Sequence, residues 1–267
     1  MSEEYIKEIC EMYSTYKYTI RFLSEKFSIT PYRIGNVLKK HGIPIKRINL
    51  LNNEINEDYF KEINTEEKAY ILGFIFADGS IHKNQLSIEI NIKDIEILEK
   101  IKQELRLNSK IYYRKRKTSE LVCLSLHSQK IIDDLSKYGI IPDKTHVTNH
   151  LPIIDKAFLP HFLRGLIDGD GWITQDKDGY FHIGFCNNSQ QVCQDFQNYC
   201  NSLIEKKSKA KILKPSKNAE SYSCSFCGKE MAKQLATVLY KDNNICLSRK
   251  YKLAELIFGD KNDEDIV

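Results

Sequence analysis

Two aspartates in this sequence stand in matching surroundings. The stretches ILGFIFADG and LRGLIDGDG each end in an Asp-Gly pair, with the aspartates at Asp78 and Asp170. A carboxylate at the end of a helix faces the negative pole of the helix dipole, and two carboxylates brought together repel each other. A divalent cation relieves both penalties, with the backbone carbonyls of Ala77 and Gly169 as further hard oxygen ligands. The pair therefore predicts an acidic site for Mg²⁺, with Mn²⁺ as a plausible substitute.

Small residues occupy equivalent places in the same two stretches. Gly73 and Ala77 lie four residues apart in the first, and Gly165 and Gly169 lie four apart in the second. Residues four apart share one helix face, so each helix would carry a smooth stripe that allows another backbone to approach closely. An interior glycine costs a helix about 1 kcal/mol against alanine, so a packing reason is expected. We predict that the two helices pack in parallel and bring their acids together.

Two other structures can contain acids in this pattern: a helix end and a calcium-binding loop. An Asp-Gly pair can simply end a helix, although its repetition together with matched small residues argues against this. A calcium loop would start at Asp168, but its twelfth position is Gly179 where that loop needs a glutamate. The calcium loop is excluded on that count.

The order of secondary-structure patterns repeats along the chain. Each half shows a helix, an alternating hairpin, a helix, a second hairpin and a closing helix, which predicts an α+β fold with antiparallel sheets. We therefore expect a duplicated αββαββα unit related by a pseudo-twofold axis. The first repeat is assigned to residues 64–150 and the second to 151–267.

The N-terminal residues 1–48 form a separate module in this interpretation. They contain three short helical patterns, and the third begins with a cap and a proline at Thr30-Pro31. Its outward residues Tyr32, Arg33 and Lys40 are polar or basic, so the module resembles a DNA-binding helix-turn-helix. A three-helix bundle used only for packing is the alternative, and residues 49–63 are assigned as a polar linker.

The composition is that of an ordinary globular protein and excludes few classes of protein. The 267 residues include 40 basic and 36 acidic side chains, for a formal net charge of +4, and no apolar run is long enough for a membrane span. Eight cysteines include one CxxC pair at Cys224 and Cys227, which is too little for a zinc site and favours small core residues. These features predict a protein of the cytosol or the nucleus, where the cysteines stay reduced. We assign it to the cytoplasm of a prokaryotic or phage-host cell, with an organelle as the alternative.

The paired motifs resemble those of the LAGLIDADG homing endonucleases in their single-chain form. LRGLIDGDG matches the family consensus at seven of nine letters and ILGFIFADG at five. The resemblance implies that Asp78 and Asp170 bind the catalytic metal. Asp168 is not carried over, because the first copy has Phe76 at that place.

The same resemblance implies a lysine near the end of each half, here Lys144 and Lys250, that acts on the attacking water or the phosphate. A solvated lysine is the alternative for each. The implied activity is a site-specific homing endonuclease that makes a staggered double-strand break by Mg²⁺-dependent hydrolysis. Its partner would be double-stranded DNA with a long asymmetric site, bound by a monomeric pseudo-dimer.

Alternatives of other classes use the same scaffold: a DNA-binding regulator that does not cut, or an RNA maturase with intron RNA as its partner. The presence of both acids argues against the regulator. An intein is not expected, because the chain begins at Met1 and ends in DEDIV without splice-junction residues.

Basic and polar residues cluster on the predicted hairpins of both repeats. Such runs are usually solvated surfaces, but equivalent placement in two repeats predicts a track for DNA phosphates, with neighbouring polar residues at base edges. The residues assigned to DNA contact in the repeats are Lys83, Gln85, Arg114, Arg116, Lys209 and Lys211.

Overall fold

The structure is a computed structural model in which the chain divides into two compact units, Met1–Glu54 and Ile55–Val267. The residues that it describes are 3–14, 20–43, 55–115, 119–142, 149–212, 214 and 220–259.

The first unit contains three helices, α1 (Glu3–Ser14), α2 (Ile20–Phe27) and α3 (Pro31–Lys40). Thr30 caps α3, since its side chain accepts a hydrogen bond from the backbone of Arg33. A small apolar core joins the helices through Ile9, Tyr13, Leu23, Ile34 and Leu38. The outward residues named from the sequence, Tyr32, Arg33 and Lys40, are exposed. Its use as a helix-turn-helix stays a prediction.

The two motif helices are α4 (Glu66–Asp78) and α7 (Leu159–Asp170). Thr65 caps α4 by accepting a hydrogen bond from the backbone of Lys68, as its place before two glutamates predicts. Each helix runs directly into a strand, which begins at Gly79 or Gly171. The last aspartate of each helix therefore lies at the edge of a sheet.

The first sheet follows α4 and has four antiparallel strands in the order β1-β2-β4-β3. They are β1 (Gly79–His82), β2 (Gln85–Asn91), β3 (Tyr112–Lys115) and β4 (Glu120–His127). A short 3₁₀ turn and α5 (Ile95–Glu104) separate the two hairpins, and α6 (Gln129–Ser136) follows them.

The second sheet follows α7 and has three antiparallel strands in the described residues, in the order β5-β6-β7. They are β5 (Gly171–Gln175), β6 (Phe181–Asn187) and β7 (Tyr222–Cys227). The helices of this half are α8 (Gln190–Leu203), α9 (Lys229–Tyr240) and α10 (Ser248–Phe258). The strand expected around Lys209 and Lys211 is not a regular strand as far as Ile212. Helix α10 follows the closing helix α9 and has no counterpart in the predicted order of elements.

Both sheets turn one face to a common core and leave the other open. Along β2 the apolar residues Leu86, Ile88 and Ile90 are buried, while Gln85, Ser87 and Glu89 alternate with them on the open face. The predicted α+β fold with antiparallel sheets and a duplicated motif is thus confirmed. In the part of the chain that the structure describes, no helix is both long enough and apolar enough to cross a membrane.

The cysteines in the described residues are all free thiols. Cys123, Cys193, Cys200 and Cys224 are buried, as small core residues would be, whereas Cys227 is exposed. The two members of the CxxC pair thus differ in exposure.

Candidate functional site

The motif helices α4 and α7 meet backbone to backbone at their glycines. A Cβ atom added to Gly73 would lie 2.1 Å from the carbonyl oxygen of Phe162, and one added to Gly165 would lie 2.1 Å from that of Tyr70. Since real Cβ atoms do not approach oxygen so closely, only glycine fits at either place. The stripe of small residues therefore sets the distance between the two helices.

The same contact brings the two helix ends together. A Cβ atom at Gly169 would lie 2.4 Å from the Cβ of Ala77 and 3.1 Å from Oδ2 of Asp78. Ala77 thus faces Gly169 at the last turn of both helices, the pairing of a parallel arrangement. Asp78 and Asp170 are both half-buried there. The four residues assigned to the metal site from sequence are gathered at one seam.

The chemistry of this seam suits a hard cation. Its donors are two carboxylates and the backbone carbonyls at two helix ends, all oxygen ligands of the kind that Mg²⁺ prefers. Within the described residues no group of three or more His, Cys, Asp or Glu side chains is arranged to hold a metal ion. A cation held by Asp78 and Asp170 would therefore complete its coordination with water or with phosphate oxygens, as Mg²⁺ commonly does.

Lys250 lies buried at the end of α7. Its ammonium donates hydrogen bonds to the carbonyl oxygens of Asp168 at 2.9 Å and Gly171 at 2.7 Å, and also to that of Ile167. Burial lowers the pKa of the Lys250 ammonium to about 8. A cation at the negative end of a helix stabilises that end. Lys250 therefore fixes the backbone on both sides of Asp170 and is not a solvated lysine.

Asp168 is buried, and protein groups occupy both of its carboxylate oxygens. It accepts hydrogen bonds from the hydroxyls of Tyr70 and Tyr240, both at 2.8 Å, and from the backbone N–H of Leu247 at 2.7 Å. Burial raises the pKa of the Asp168 carboxyl, against the opposing charge of Lys250. Phe76, its counterpart in the first motif, packs edge-on against the ring of Phe162. Asp168 joins α4, α9 and the segment before α10.

Arg164 is a second buried polar residue of α7, and sequence reasoning missed it. Its guanidinium donates to the carbonyls of Leu239 at 2.6 Å and Ile245 at 2.9 Å, and to Oε1 of Glu66 at 2.7 Å. The visible signal was a basic side chain among the apolar residues of the motif, before its two aspartates. Its partners could not be identified because all three lie more than 70 residues away along the chain.

The start of α10 is also tied to the first repeat. Arg249 makes a two-bond ion pair with Asp94, at 2.8 and 3.0 Å, and the backbone of Ser248 donates to Glu96 at 2.9 Å. The segment that carries Lys250 is therefore held by both repeats.

The predicted DNA-contacting residues are spread over the open faces and their margins. Gln85 lies on the open face of the first sheet, Lys83 lies in the two-residue turn before it, and Arg114 pairs with Glu89 at 2.9 Å. Lys209 and Lys211 are exposed outside the regular strands. Arg116 and Lys144 lie outside the described residues.

A comparison with protein families decides the relationship of this chain. The model of a LAGLIDADG-like domain matches residues 65–138 and 157–240, which together are more than half of the chain. The chain belongs to the LAGLIDADG family. Each matched segment contains one motif helix of the LAGLIDADG pair, whereas α10 and Lys250 lie beyond the second segment.

Solved structures of similar fold include full-length DUF199/WhiA from Thermatoga maritima. It has a TM-score of 0.50 and 15% identity, and the match covers 79% of this chain and 66% of that one. The meganuclease I-SmaMI, bound to uncleaveable DNA, gives a TM-score of 0.49 with 14% identity over 72% of this chain and 91% of its own. At this level of identity the likeness concerns the fold alone.

One curated protein is similar in sequence over part of this chain. It is the DNA-directed RNA polymerase subunit Rpo1C of Methanocaldococcus jannaschii, which is 27% identical over 149 residues. The match covers 55% of this chain but only 16% of that protein.

Proposed function

We propose that this protein is a DNA endonuclease that cuts both strands of a long asymmetric site by metal-assisted hydrolysis of phosphodiesters. The observation that carries the proposal is the meeting of Asp78 and Asp170 at the shared end of two helices. Each helix also leads into a sheet with an open face. Two like charges at the negative ends of two helices destabilise the fold, and a bound cation offsets this cost. A protein that only binds DNA has no need of them.

Asp78 and Asp170, with the carbonyls of Ala77 and Gly169, would hold Mg²⁺ at the seam. When bound, the ion would supply an activated water and stabilise the leaving 3′ oxygen. The residues of the chain contribute by positioning the two carboxylates. Gly73 and Gly165 set the separation of the two helices, and Lys250 holds the backbone at the end of α7 so that the Asp170 carboxylate keeps its direction. For Lys144 the proposed role is the one that the family resemblance implies, to act on the attacking water or the phosphate.

Binding of DNA is assigned to the open faces of the two sheets. The basic residues Arg114, Lys209 and Lys211 are exposed and suit phosphates, while polar residues of β1 and β2 suit base edges. The N-terminal unit would lengthen the footprint on DNA, because two linked binding modules bind more tightly than either one alone.

The direct test uses DNA that carries the sequence flanking the gene. Purified protein is incubated with this DNA and Mg²⁺, and both strands are analysed for cuts. We expect a double-strand break with the natural chain and none with Asp78→Asn or Asp170→Asn. Asp176→Asn is the matched control, since Asp176 is a surface carboxylate after β5 that pairs with His182 at 3.0 Å.

The outcomes of this test separate the functions that the scaffold allows. Cutting that needs both acids and not Asp176 supports the endonuclease. Tight binding to this DNA with no nick in Mg²⁺ or Mn²⁺ contradicts it, and favours a regulator that binds without cutting.

A further inference from the structure

The register of the first sheet places three hydrogen-bonding side chains in one row. His82 of β1 lies directly opposite Gln85 of β2, which in turn lies opposite His127 of β4. Directly opposed residues of antiparallel strands project to the same face. His82 and His127 are exposed and Gln85 is half-exposed, so the row lies on the open face. His127 was not singled out from the sequence.

The side chains of this row differ from most of the polar side chains beside them, which are bonded within the protein. In the described part of the chain, none of the three side chains makes a hydrogen bond or an ion pair within the protein. On the same face, Ser87 and Ser125 bond to each other at 2.9 Å, and Glu89 is paired with Arg114. The hydrogen-bond donors and acceptors of this row can therefore bind a partner outside the chain.

The equivalent row of the second sheet has different residues. Gly171 opposes Phe185 as Gly79 opposes Ile88, so the equivalent row is Thr174, His182 and Cys227. Its central member His182 is already bonded to Asp176 at 3.0 Å.

On the open face of the second sheet, the next row toward the end of α7 is covered by a large side chain. The indole of Trp172 lies over Gly184, because a Cβ atom there would be 2.2 Å from the indole Cζ2. The row of the second sheet that matches His82, Gln85 and His127 therefore holds one imidazole, which is already bonded, and no amide.

The dimensions of the row fit a DNA groove. Strands lie about 4.8 Å apart, so three strands carry the row across about 10 Å, within the roughly 12 Å width of the major groove. His82 comes four residues after Asp78 along an extended strand, or about 13 Å. That distance corresponds to about four base steps along one DNA strand.

We propose that His82, Gln85 and His127 are the main base-reading element of this protein, and that Gln85 selects an adenine about four base pairs from the cut. The planar amide of glutamine offers a donor beside an acceptor, which matches N7 and the amino group of adenine in the major groove. The flanking histidines contact the neighbouring bases. The proposal rests on the proposed binding of DNA, but not on cleavage.

Selection from a library of randomised duplexes tests the proposal with the full chain, in EDTA so that no strand is cut. The natural chain should recover a site with an adenine at one such position. Gln85→Ala should lose that preference by roughly ten- to a hundredfold, and Gln85→Glu should shift it to cytosine, whose amino group a carboxylate accepts. His127→Ala should weaken the preference at an adjacent position.

His182→Ala is the matched control, because His182 has the place of Gln85 in the second sheet. It should recover the site of the natural chain. The proposal is overturned if both Gln85 variants recover an unchanged site while melting at the temperature of the natural chain, or if His182→Ala changes the site more than Gln85→Ala. In either case the binding of specific DNA stands. A natural chain that enriches no sequence overturns the proposed function as well.

Discussion

At the scale of single residues, two aspartates that are two positions apart in α7 have opposite surroundings. Asp168 is buried and accepts hydrogen bonds from two tyrosine hydroxyls, whereas Asp170 is half-buried at the helix end beside the partner helix. Asp168 links α4, α9 and the segment before α10, whereas Asp170 lies at the seam that is assigned to the ligand site.

Replacing Asp168 by alanine tests this division. The change leaves the hydroxyls of Tyr70 and Tyr240 without their acceptor and removes the charge that offsets Lys250. Removing one partner of such a buried group costs about 3–5 kcal/mol. We expect the free energy of unfolding in urea to fall by that order.

Asp170→Ala is the control, measured in EDTA. It removes a carboxylate from the negative end of a helix, so stability should stay the same or rise by up to about 1 kcal/mol. Equal losses in the two variants would show that Asp168 has no special structural part.

The burial of Lys250 predicts how the stability of the fold changes with pH. Burial lowers the pKa of its ammonium from 10.5 to about 8. Between these values the unfolded chain holds a proton that the folded chain lacks, so folding becomes more favourable as pH rises through this window. Below about pH 8 both states are protonated and the penalty for burial is fully present. The stability of the natural chain relative to Lys250→Met should therefore rise by up to about 1.4 kcal/mol per pH unit.

The measurement is urea unfolding of both proteins at several pH values from 7 to 10, in EDTA. Groups that titrate in both proteins cancel in the difference. A difference that stays constant over this range would contradict the placement of Lys250.

The residues that sequence reasoning identified and those that it missed differ in a physical way. Asp78 and Asp170 could be paired because the same local pattern occurs twice, and the repetition shows where each partner lies. The role of Asp168 could not be predicted, since its partners Tyr70 and Tyr240 lie 98 and 72 residues away. Nothing in the local pattern points to contacts of that separation.

At the scale of elements, the contact of α4 with α7 depends on glycine backbones. Gly165→Ala would place a methyl group 2.1 Å from the carbonyl oxygen of Tyr70 and 2.8 Å from the backbone nitrogen of Phe74. Backbone atoms cannot move aside cheaply, so we expect a loss of about 1–3 kcal/mol. That loss should appear although alanine is the better helix former by about 1 kcal/mol.

The fluorescence of Trp172, the one tryptophan of the chain, follows this unfolding transition in the second unit. Gly42→Ala is a control in the first unit, where the added methyl group meets no atom within 4 Å and the cost is the strain of alanine at a φ of +67°. It should leave the tryptophan transition unchanged. A Gly165→Ala variant at least as stable as the natural chain would contradict the close helix contact.

The order of elements followed from periodicity, but their extent in the second half did not. Alternation of apolar residues predicted β7, where Cys224 and Phe226 are buried and Cys227 is exposed. The basic stretch that holds Lys209 and Lys211 has no such alternation of large apolar residues, and it is not a regular strand as far as Ile212. Helix α10 was missed because its anchors, Asp94 and Glu96, belong to the other repeat.

At the scale of the whole molecule, the net charge of +4 is modest, so any affinity for DNA must come from the placement of charge. Arg114, Lys209 and Lys211 are assigned to phosphates. Each phosphate contact that is lost should lower the slope of log affinity against log salt by about one. We expect this from Arg114→Gln, Lys209→Gln and Lys211→Gln, with little change in the preferred sequence.

Lys61→Gln is the control for charge alone. Lys61 is exposed and precedes α4, so it lies at the opposite end of that helix from Asp78. Its slope should match that of the natural chain. Equal slopes for all four variants would show that Arg114, Lys209 and Lys211 do not contact DNA phosphates.

The central claim is that Asp78 and Asp170 hold one divalent-cation site at the seam of the two repeats. Replacing Mg²⁺ by Fe²⁺ in the presence of duplex DNA and adding ascorbate and peroxide produces hydroxyl radicals at the bound metal, and mass spectrometry then locates the breaks in the protein chain. We predict breaks around Ala77–Gly79 and around Gly169–Gly171 in the same sample, suppressed by excess Mg²⁺ and absent when both aspartates are replaced by asparagine. Breaks at only one of these places, or breaks that persist in the double variant, would contradict a shared site.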